Sequence, residues 1–461
     1  MADRSLSAER SSGGLAGGAA RRAPAILEKI ENRTAVVGII GLGYVGLPLS
    51  LAFAEKGFRV LGFDIDGDKI EKLARGESYI LHLEKERISS ALGTDRLAAT
   101  ADFARLAEPD AILICVPTPL TANREPDMRF VAATTEQIRE RLRPGQLVVL
   151  ESTTYPGTTD EVVRPALEST GLVCGRDFFL AFSPEREDPG NPNFSTTTIP
   201  KVVGGVDEVS GDLAEALYGQ VVAGTVRVSS ARAAEATKLM ENIFRSVNIA
   251  LVNELKVIYD RMGIDIWEVL DAAATKPFGY MRFDPGPGWG GHCIPIDPYY
   301  LSWKAREYGK STRFIELAGE INTDMPEFVV ARVIDALNAR GRAVRDSRIL
   351  VLGLAYKPNV SDDRESPSYR LMDRLRDRGA EVAYYDPHVP VIQPGREHAH
   401  WAGTRSVPWD RETIAGFEAV VIANRHDSVD YGQLGQWARC IVDTRNAMAG
   451  VDLPAGVLWK A

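Results

Sequence analysis

One cysteine lies in a loop whose composition is suited to chemistry. Cys293 stands within the segment PGPGWGGHCIPIDPYYL, in which glycines permit close approach to a ligand and prolines restrict the backbone. A thiol in such a loop is a buried packing residue, a metal ligand or a nucleophile, and a nucleophile needs access and a stabilised thiolate. Asp297 follows four residues later, where a carboxylate can orient a water molecule or a base. The loop by itself is compatible with all three roles.

A glycine-rich turn offers a second place for chemistry. The segment GLGYVG, residues 41–46, follows an apolar run and opens a stretch with helical periodicity. In such a turn Gly41 permits the tight bend, Gly43 lets a pyrophosphate approach the backbone, and Gly46 lets helix and strand pack closely. Asp64 ends the next predicted strand, where a carboxylate accepts from ribose hydroxyls and disfavours a 2′-phosphate. The sequence therefore predicts an NAD site made by Gly41, Gly43, Tyr44, Val45, Gly46 and Asp64, with Lys69 nearby.

Alternating strands and helices must position these residues. Apolar runs such as TAVVGIIG, RVLGFDID, DAILICVPTP and QLVVLESTTYP alternate with helical stretches, and SRILVLGLAYKP starts a second such series. This alternation predicts doubly wound parallel sheets. Between the two series, residues 229–263 contain no Pro and no internal Gly, which predicts one long helix. The expected fold class is α/β, with two Rossmann-like doubly wound domains joined by a long central helix and a helical segment.

The domain boundaries follow composition and periodicity. Residues 1–33 are rich in Ser, Gly, Ala and Arg, which predicts a disordered tail. We expect an N-terminal NAD-binding Rossmann-like domain over 34–228, a central helical dimerisation domain over 229–330 and a C-terminal α/β domain over 331–461. Self-similarity between the two α/β halves is weak, so the sequence leaves open whether one repeats the other.

Composition limits the class of partner. The chain has 461 residues and a formal net charge of −9, which argues against a general nucleic-acid binder and an anionic membrane surface. No apolar run reaches the roughly 18 residues of a membrane span. The four cysteines show no CxxC pattern and no His/Cys metal-ligand spacing. We expect free thiols, no metal and a reduced, cytoplasmic setting.

Several motifs together carry a resemblance to a known family. They are, in chain order, GLGYVGLP, CVPTP, ESTTYPGTT, SPERED, EATKLMENIFRSVNIALVNEL, GWGGHCIPIDP and LGLAYKPNVSDDRESP. With them the chain resembles the UDP-glucose/GDP-mannose dehydrogenase family, the nucleotide-sugar 6-dehydrogenases, from about Ala35 to its C-terminal strands. The resemblance implies a four-electron, NAD-dependent oxidation of the C6 alcohol of a UDP-sugar bound by the C-terminal domain, and a homodimer formed through the central helix.

The resemblance also assigns a role to each site residue. It implies that Cys293 adds to an aldehyde, giving a thiohemiacetal and then a thioester that water hydrolyses. Lys238 and Asn242, four residues apart on one helical face, would hold the oxyanion and a water and contact substrate. The remaining implied roles are Asp297 in activating the water, Glu185 as acid/base and substrate contact, Thr154 in positioning the water beside the cofactor, Thr118 on the cofactor, and Gly290, Lys357 and Arg364 on the UDP-sugar.

One segment departs from the family pattern. UDP-glucose dehydrogenases commonly carry an Arg-Ile-Gly upstream of the cysteine loop, whereas this chain has Pro277 at the arginine position, with Lys276 and Arg282 nearby. The departure, with SPERED and GHCIPIDP, favours UDP-N-acetylglucosamine as substrate. UDP-glucose and UDP-N-acetylmannosamine are the alternatives within the family. A catalytically silent sugar-nucleotide binder and a two-electron β-hydroxyacid dehydrogenase are alternatives from outside it.

Overall fold

The computed structural model describes residues 22–80, 83–121, 123–186, 197–291, 293–395 and 398–461. The chain forms two compact units. Among the described residues, the first unit takes those up to Glu235 apart from Pro119–Asp127, and the second takes Pro119–Asp127 and Ala236–Ala461.

An eight-stranded sheet forms the centre of the first unit. Its strands are β1 Val36–Ile40, β2 Arg59–Phe63, β3 Leu97–Thr100, β4 Ala111–Ile114, β5 Leu147–Leu150, β6 Phe179–Phe182, β7 Lys201–Gly205 and β8 Thr225–Arg227. The order is β3-β2-β1-β4-β5-β6-β7-β8, and every neighbouring pair is parallel except β6 and β7. Strands β4, β5 and β6 are buried along their whole length, as their continuous apolar runs predict.

Helices cover the sheet of the first unit. They are α1 Arg22–Glu31, α2 Gly46–Glu55, α3 Gly67–Ala74, α4 Lys85–Gly93, α5 Arg129–Arg139, α6 Arg164–Glu168 and α7 Glu208–Gly219. A 3₁₀ turn spans Phe103–Ala107 and a π turn spans Thr159–Val163. The following helix, α8, spans Ala231–Met262 and continues into the second unit.

The prediction of a disordered tail over 1–33 is wrong at its C-terminal end. Residues 1–21 lie outside the described part of the chain, but Arg22–Glu31 form α1. Ile26 and Ile30, one helical turn apart, are buried in the core of the first unit, where α1 packs against α7. Lys29 also donates to the Asp110 carboxylate at 2.8 Å. Burial of these two isoleucines offsets the conformational entropy that is lost when the short segment becomes ordered.

A second parallel sheet lies in the second unit. Its strands are β9 Arg348–Leu352, β10 Glu381–Tyr385, β11 Ala419–Ile422, β12 Ile441–Asp443 and β13 Leu458–Lys460, in the order β10-β9-β11-β12-β13. The helices of the second unit after α8 are α9 Ile266–Ala274, α10 Asp297–Glu307, α11 Arg313–Asn338, α12 Pro367–Asp377, α13 Arg411–Ala415 and α14 Tyr431–Trp437. A 3₁₀ turn spans Ala399–Trp401. The predicted fold class is confirmed.

Two long helices link the sheets in sequence. The helix predicted over 229–263 is observed as α8, and Gly263, at φ +70°, follows its last residue. The predicted domain boundary at 330 falls inside α11, which continues to Asn338 because Val329, Val333 and Leu337 are buried in the core of the C-terminal sheet. In the described part of the chain, no helix has both the length and the apolar character needed to cross a bilayer.

Candidate active site

The cysteine loop is held tightly where it enters α10. The Cys293 carbonyl accepts from the backbone N–H groups of Ile296 at 3.2 Å and Asp297 at 2.9 Å, so thiol and carboxylate share one turn. Gly291, two residues before the thiol, has φ +86°, and a Cβ there would lie 2.8 Å from the Tyr356 ring. Glycine is therefore required here for packing as well as for the turn.

The peptide bond at the start of the loop is fixed from two sides. The Gly286 N–H donates to Asn253 Oδ1 at 2.9 Å, and the Pro285 carbonyl accepts from Arg445 Nη1 at 3.2 Å. Asn253 in turn donates to Asn322 Oδ1 at 2.7 Å, which ties α8 to α11. Both asparagines are buried, so these bonds form where water does not compete. The loop is thus anchored to two central helices and to the end of β12.

A buried polar cluster surrounds Asp297. Asn242 on α8 donates from Nδ2 to Asp297 Oδ2 at 2.5 Å, and Arg245 donates to Asn242 Oδ1 at 2.6 Å. Asp297 and Asn242 are 3% and 1% exposed, and Lys238, one turn earlier on α8, is 8% exposed. The predicted helical pair thus lies on the buried side of α8, and Asn242 orients the carboxylate.

Burial raises the pKa values of two neighbouring groups in this cluster. Burial raises the pKa of Asp297 to about 6, against the charge of Lys238 and the Asn242 hydrogen bond. Burial also raises the pKa of the Cys293 thiol, and the Asp297 charge adds to this shift. The positive charges of Lys238, Arg245 and Arg364 act the other way on the thiol. A thiol that rests protonated beside a carboxyl group titrating near neutral pH is suited to proton-coupled addition.

Lys357 and Arg364 both lie on the loop that follows β9. Arg364 donates to both oxygens of Asp362, at 2.8 and 2.7 Å, and its charge reaches Cys293. Lys357 is half-buried, and Gly290 packs so closely that a Cβ would lie 2.8 Å from Pro367. The structure therefore brings Lys238, Asn242, Cys293, Asp297 and Arg364 together in the second unit.

The glycine turn of the first unit fits a dinucleotide. Gly41 has φ +94°, and a Cβ there would lie 2.5 Å from the Cys115 carbonyl oxygen. A Cβ on Gly46 would lie 1.9 Å from the Gly41 oxygen, whereas one on Gly43 would meet nothing within 4 Å. The space over Gly43 is therefore open to a ligand, as predicted for a pyrophosphate. Within the described residues, no side chain caps the start of α2 at Val45, next to Tyr44.

Asp64 is part of this turn. It is 6% exposed and accepts from the Leu42 N–H at 2.8 Å and the Asp66 N–H at 3.0 Å. Lys69 Nζ lies 3.3 Å from Asp64 Oδ2. From its position after β2, the Asp64 carboxylate thus holds the glycine turn that follows β1. The ribose contact predicted for Asp64 would be a second role.

Three more predicted residues follow neighbouring parallel strands. Thr118 comes after β4, Thr154 after β5 and Glu185 after β6, so all three lie at the carboxyl edge of the sheet, where Gly41 follows β1. Thr154 is fully buried, and its Oγ1 has no hydrogen-bond partner in the described part of the chain. An unsatisfied buried hydroxyl at this edge is consistent with a site for a ligand or water.

Sequence reasoning missed several residues around these sites. Asn253 and Glu151 lie inside motifs that the resemblance quotes, but their buried partners are far away in sequence. Arg445, at the end of β12, and Lys201, at the start of β7, lie outside those motifs. The positions of Lys201 and Arg445 become clear only once the order of the strands in each sheet is known.

Comparison with known proteins adds the family. Its models match in three consecutive blocks: the NAD binding domain over residues 35–222, the central domain over 232–324 and the UDP binding domain over 350–450. The chain belongs to the UDP-glucose/GDP-mannose dehydrogenase family. The predicted family is confirmed, the chain is an oxidoreductase, and NAD is its cofactor.

Two similar relatives in this dehydrogenase family carry different substrate names. UDP-N-acetyl-D-mannosamine dehydrogenase of Pyrococcus horikoshii is 35% identical over 431 residues, covering 92% of this chain and 98% of the relative. UDP-N-acetyl-D-glucosamine 6-dehydrogenase of Pseudomonas aeruginosa is 38% identical over 392 residues, covering 85% and 90%. The solved structure of the UDP-D-ManNAc dehydrogenase from Pyrococcus horikoshii aligns with a TM-score of 0.84 at 33% identity, over 92% of this chain and 98% of that one.

Proposed function

We propose that this UDP-sugar dehydrogenase oxidises the C6 alcohol of UDP-N-acetylglucosamine to the carboxylate, with two NAD consumed per sugar. The observation that carries the four-electron chemistry is the buried cluster in which Cys293 shares a turn with Asp297, and Asp297 is bound by Asn242. A simple two-electron dehydrogenase has no use for a thiol beside a carboxyl group of raised pKa. NAD held at the glycine turn of Gly41, Gly43 and Gly46 would supply the hydride acceptor for each oxidation.

The chain's residues carry the covalent steps. The Cys293 sulfur bonds to C6 of the intermediate aldehyde, and the carbonyl oxygen takes up a proton, giving a thiohemiacetal. Loss of hydride from C6 and of the proton from the hydroxyl group then leaves a thioester on sulfur. Water adds to the thioester, the C–S bond breaks, and the acid and the free thiol result. Lys238 stabilises the negative charge on oxygen in each addition, as a cation held in a buried site does most strongly.

The water that cleaves the thioester needs a base. Asp297, with a pKa raised to about 6, changes charge close to working pH and suits this role. We assign Glu185 as the further acid/base and Thr154 as the residue that orients the water; the buried, unpartnered Thr154 hydroxyl supports the second assignment. In the NAD site we assign Gly41, Gly43, Tyr44, Val45, Gly46, Asp64, Lys69 and Thr118 to the cofactor; we assign Gly290, Lys357 and Arg364 to the UDP-sugar.

The substrate assignment rests on the segment around Pro277. Arg282 donates to Asp271 and Asp284 at 2.5 and 2.8 Å, so its charge is already used within the chain. Lys276 instead lies over the exposed Phe278 ring, 5.1 Å from its centroid. We propose that Lys276 takes the place of the family arginine and reaches the substrate of a second subunit.

A homodimer through α8 accompanies this proposal. Five large apolar residues of α8 are exposed by 42–65% and recur at intervals of four or seven positions: Met240, Phe244, Leu251, Ile258 and Met262. Such spacing places them along one stripe of the helix, typical of a helix–helix seam. An exposed apolar stripe of this length marks an interaction surface, and a second copy of α8 would cover it.

Competition between substrates tests the proposed function. UDP-N-acetylglucosamine, UDP-glucose and UDP-N-acetylmannosamine are mixed with NAD. The acids are separated by chromatography against standards before mass spectrometry, because the two N-acetylated acids are epimers at C2 and have equal mass. We expect the N-acetylglucosamine acid to predominate, and to exceed the glucose acid by about ten- to a hundredfold, because a site built for an amide loses hydrogen bonds when it is offered a plain hydroxyl. Predominance of another acid rejects the substrate.

The thiol has its own test in the same assay. Cys293→Ser should abolish acid formation while NAD binding is retained, because a hydroxyl is a far weaker nucleophile near neutral pH. Cys440→Ser, a buried thiol in the same unit, is the matched control. The wild-type enzyme should release two NADH per sugar. Acid formation near the wild-type rate in Cys293→Ser rejects the covalent scheme.

A further inference from the structure

Five titratable groups meet at one edge of the sheet in the first unit. Because β7 runs antiparallel to β6, its first residue lies at the edge where β4, β5 and β6 end. The group consists of Cys115 after β4, Glu151 after β5, Glu185 after β6, Lys201 at the start of β7 and Tyr218 on α7. Of these, only Glu185 has a role in the proposed reaction.

Lys201 is the centre of this group. Its Nζ donates to Glu151 Oε2 at 2.7 Å, to Glu185 Oε2 at 3.3 Å and to the Pro184 carbonyl at 3.3 Å. These three acceptors match the three hydrogens of an ammonium group. The side chains of Lys201 and Glu151 are 4% and 0% exposed, and that of Glu185 is 14% exposed. The buried end of the network is therefore the Glu151–Lys201 pair, and Glu185 is its end towards solvent.

We infer that Lys201 is a positioning residue for Glu185, and that Glu151 and Tyr218 hold Lys201 in place. This inference rests on the proposed role of Glu185 as acid/base. Tyr218 donates its hydroxyl to Glu151 Oε1, so both oxygens of Glu151 are engaged and the Lys201 ammonium has a fixed position. The Arg186 N–H donates to Glu185 Oε1 at 2.7 Å, and Lys201 holds Oε2, so the two donors together fix the direction of the carboxylate. The Lys201 charge also sets the pH at which Glu185 ionises.

The charges of the network give the sign of the effect. Burial alone lowers the pKa of Lys201, but the charges of Glu151 and Glu185 raise it above its ordinary value, so the ammonium form persists. Burial raises the pKa of Glu151, Lys201 lowers it and Glu185 raises it. Burial and the Glu151 charge also raise the pKa values of Cys115 and Tyr218, which stay neutral. Glu151 and Glu185 thus compete for the Lys201 cation.

This competition predicts opposite shifts in two variants. In Lys201→Met, Glu185 loses its cation, and the acid limb of kcat against pH should move up by about 1–3 pH units. In Glu151→Gln, Glu185 loses a like charge and no longer shares Lys201, so the limb should move down. Lys201→Arg keeps the cation and should stay close to wild type. UDP-N-acetylglucosamine with saturating NAD is the assay.

Two controls keep the outcome readable. The double variant Lys201→Met, Glu151→Gln removes one buried charge of each sign, which buried pairs tolerate better than loss of one partner, and tests the limb if Lys201→Met does not fold. Glu185→Gln identifies the limb that belongs to Glu185. If that limb persists in Glu185→Gln, the proposed role of Glu185 fails. If it disappears there, yet Lys201→Met and Glu151→Gln shift it in one direction or leave it in place, Lys201 is structural and the inference is overturned.

Discussion

The Asp297 carboxyl group occupies a position that costs folding free energy. It is 3% exposed, and burial raises its pKa from the ordinary 3.8 to about 6. The folded chain therefore holds this proton more tightly than the unfolded chain does. The free energy of unfolding must fall as pH rises from about 4 to about 6, and it stays lower at higher pH. A buried carboxylate with this penalty is typical of a group kept for chemistry rather than for stability.

Replacing Asp297 with Asn should make the protein more stable and less active. At pH 8 the neutral amide avoids the penalty, so the free energy of unfolding should rise by up to about 3 kcal/mol. Below about pH 4 the two proteins should have equal stability. Urea and thermal unfolding at both pH values measure the difference, with the exposed Asp284→Asn as control. A variant less stable than wild type at pH 8 contradicts the argument.

At the scale of elements, the two sheets build the same turn twice. After β1, Gly41 donates to the Phe63 carbonyl at 2.7 Å, and Leu42 donates to Asp64 at 2.8 Å. After β9, Gly353 donates to the Tyr385 carbonyl at 2.9 Å, and Leu354 donates to Asp386 at 2.7 Å. The two glycines have φ +94° and +89°. The C-terminal sheet thus repeats the strand–turn–strand core of the first.

The sequence showed only one copy of this repeat, for a physical reason. GLGYVG is readable because three glycines serve the turn within six residues: Gly41 and Gly46 make close contacts, and Gly43 leaves open space. In the second copy only Gly353, Leu354 and the distant Asp386 are shared, which is too little for self-similarity. The contact between Lys201 and Glu185 could not be predicted from the sequence either, because it exists only since β7 runs antiparallel to β6 in an otherwise parallel sheet. Local turns could be predicted, whereas contacts set by strand order could not.

The first turn also makes a prediction about cofactor choice. Asp64→Asn keeps an oxygen for the Leu42 N–H but removes the charge, so the preference for NAD over NADP should narrow from an expected tenfold or more. Asp64→Ala should in addition weaken the binding of both NAD and NADP, because the glycine turn loses the hydrogen bond from the Leu42 N–H to Asp64. Dissociation constants for NAD and NADP, measured on both variants, distinguish the effect of the Asp64 charge from the effect of its hydrogen bond to the glycine turn. Equal affinity of the wild-type protein for the two cofactors would reject the role of Asp64.

At the scale of the whole molecule, the exposed stripe on α8 predicts the assembly. Introducing Glu at Phe244 or Leu251, near the middle of the stripe, should convert a dimer to monomers at micromolar concentration. A carboxylate buried at a helix–helix seam without a partner costs on the order of 3 kcal/mol or more, or a hundredfold in the dissociation constant. Light scattering after size-exclusion chromatography measures the mass.

A matched control distinguishes this seam from a general effect of added charge. Phe314, on α11, is 76% exposed and lies outside the stripe, so Phe314→Glu should leave the mass unchanged. If Lys276 reaches a second subunit, the monomeric α8 variants should also lose affinity for the UDP-sugar while NAD affinity is retained, and Lys276→Ala in the dimer should reproduce that loss. A wild-type protein that is monomeric, or a Leu251→Glu variant that stays dimeric, rules out α8 as the seam. Monomers with unchanged sugar affinity would instead show that each subunit completes its own site.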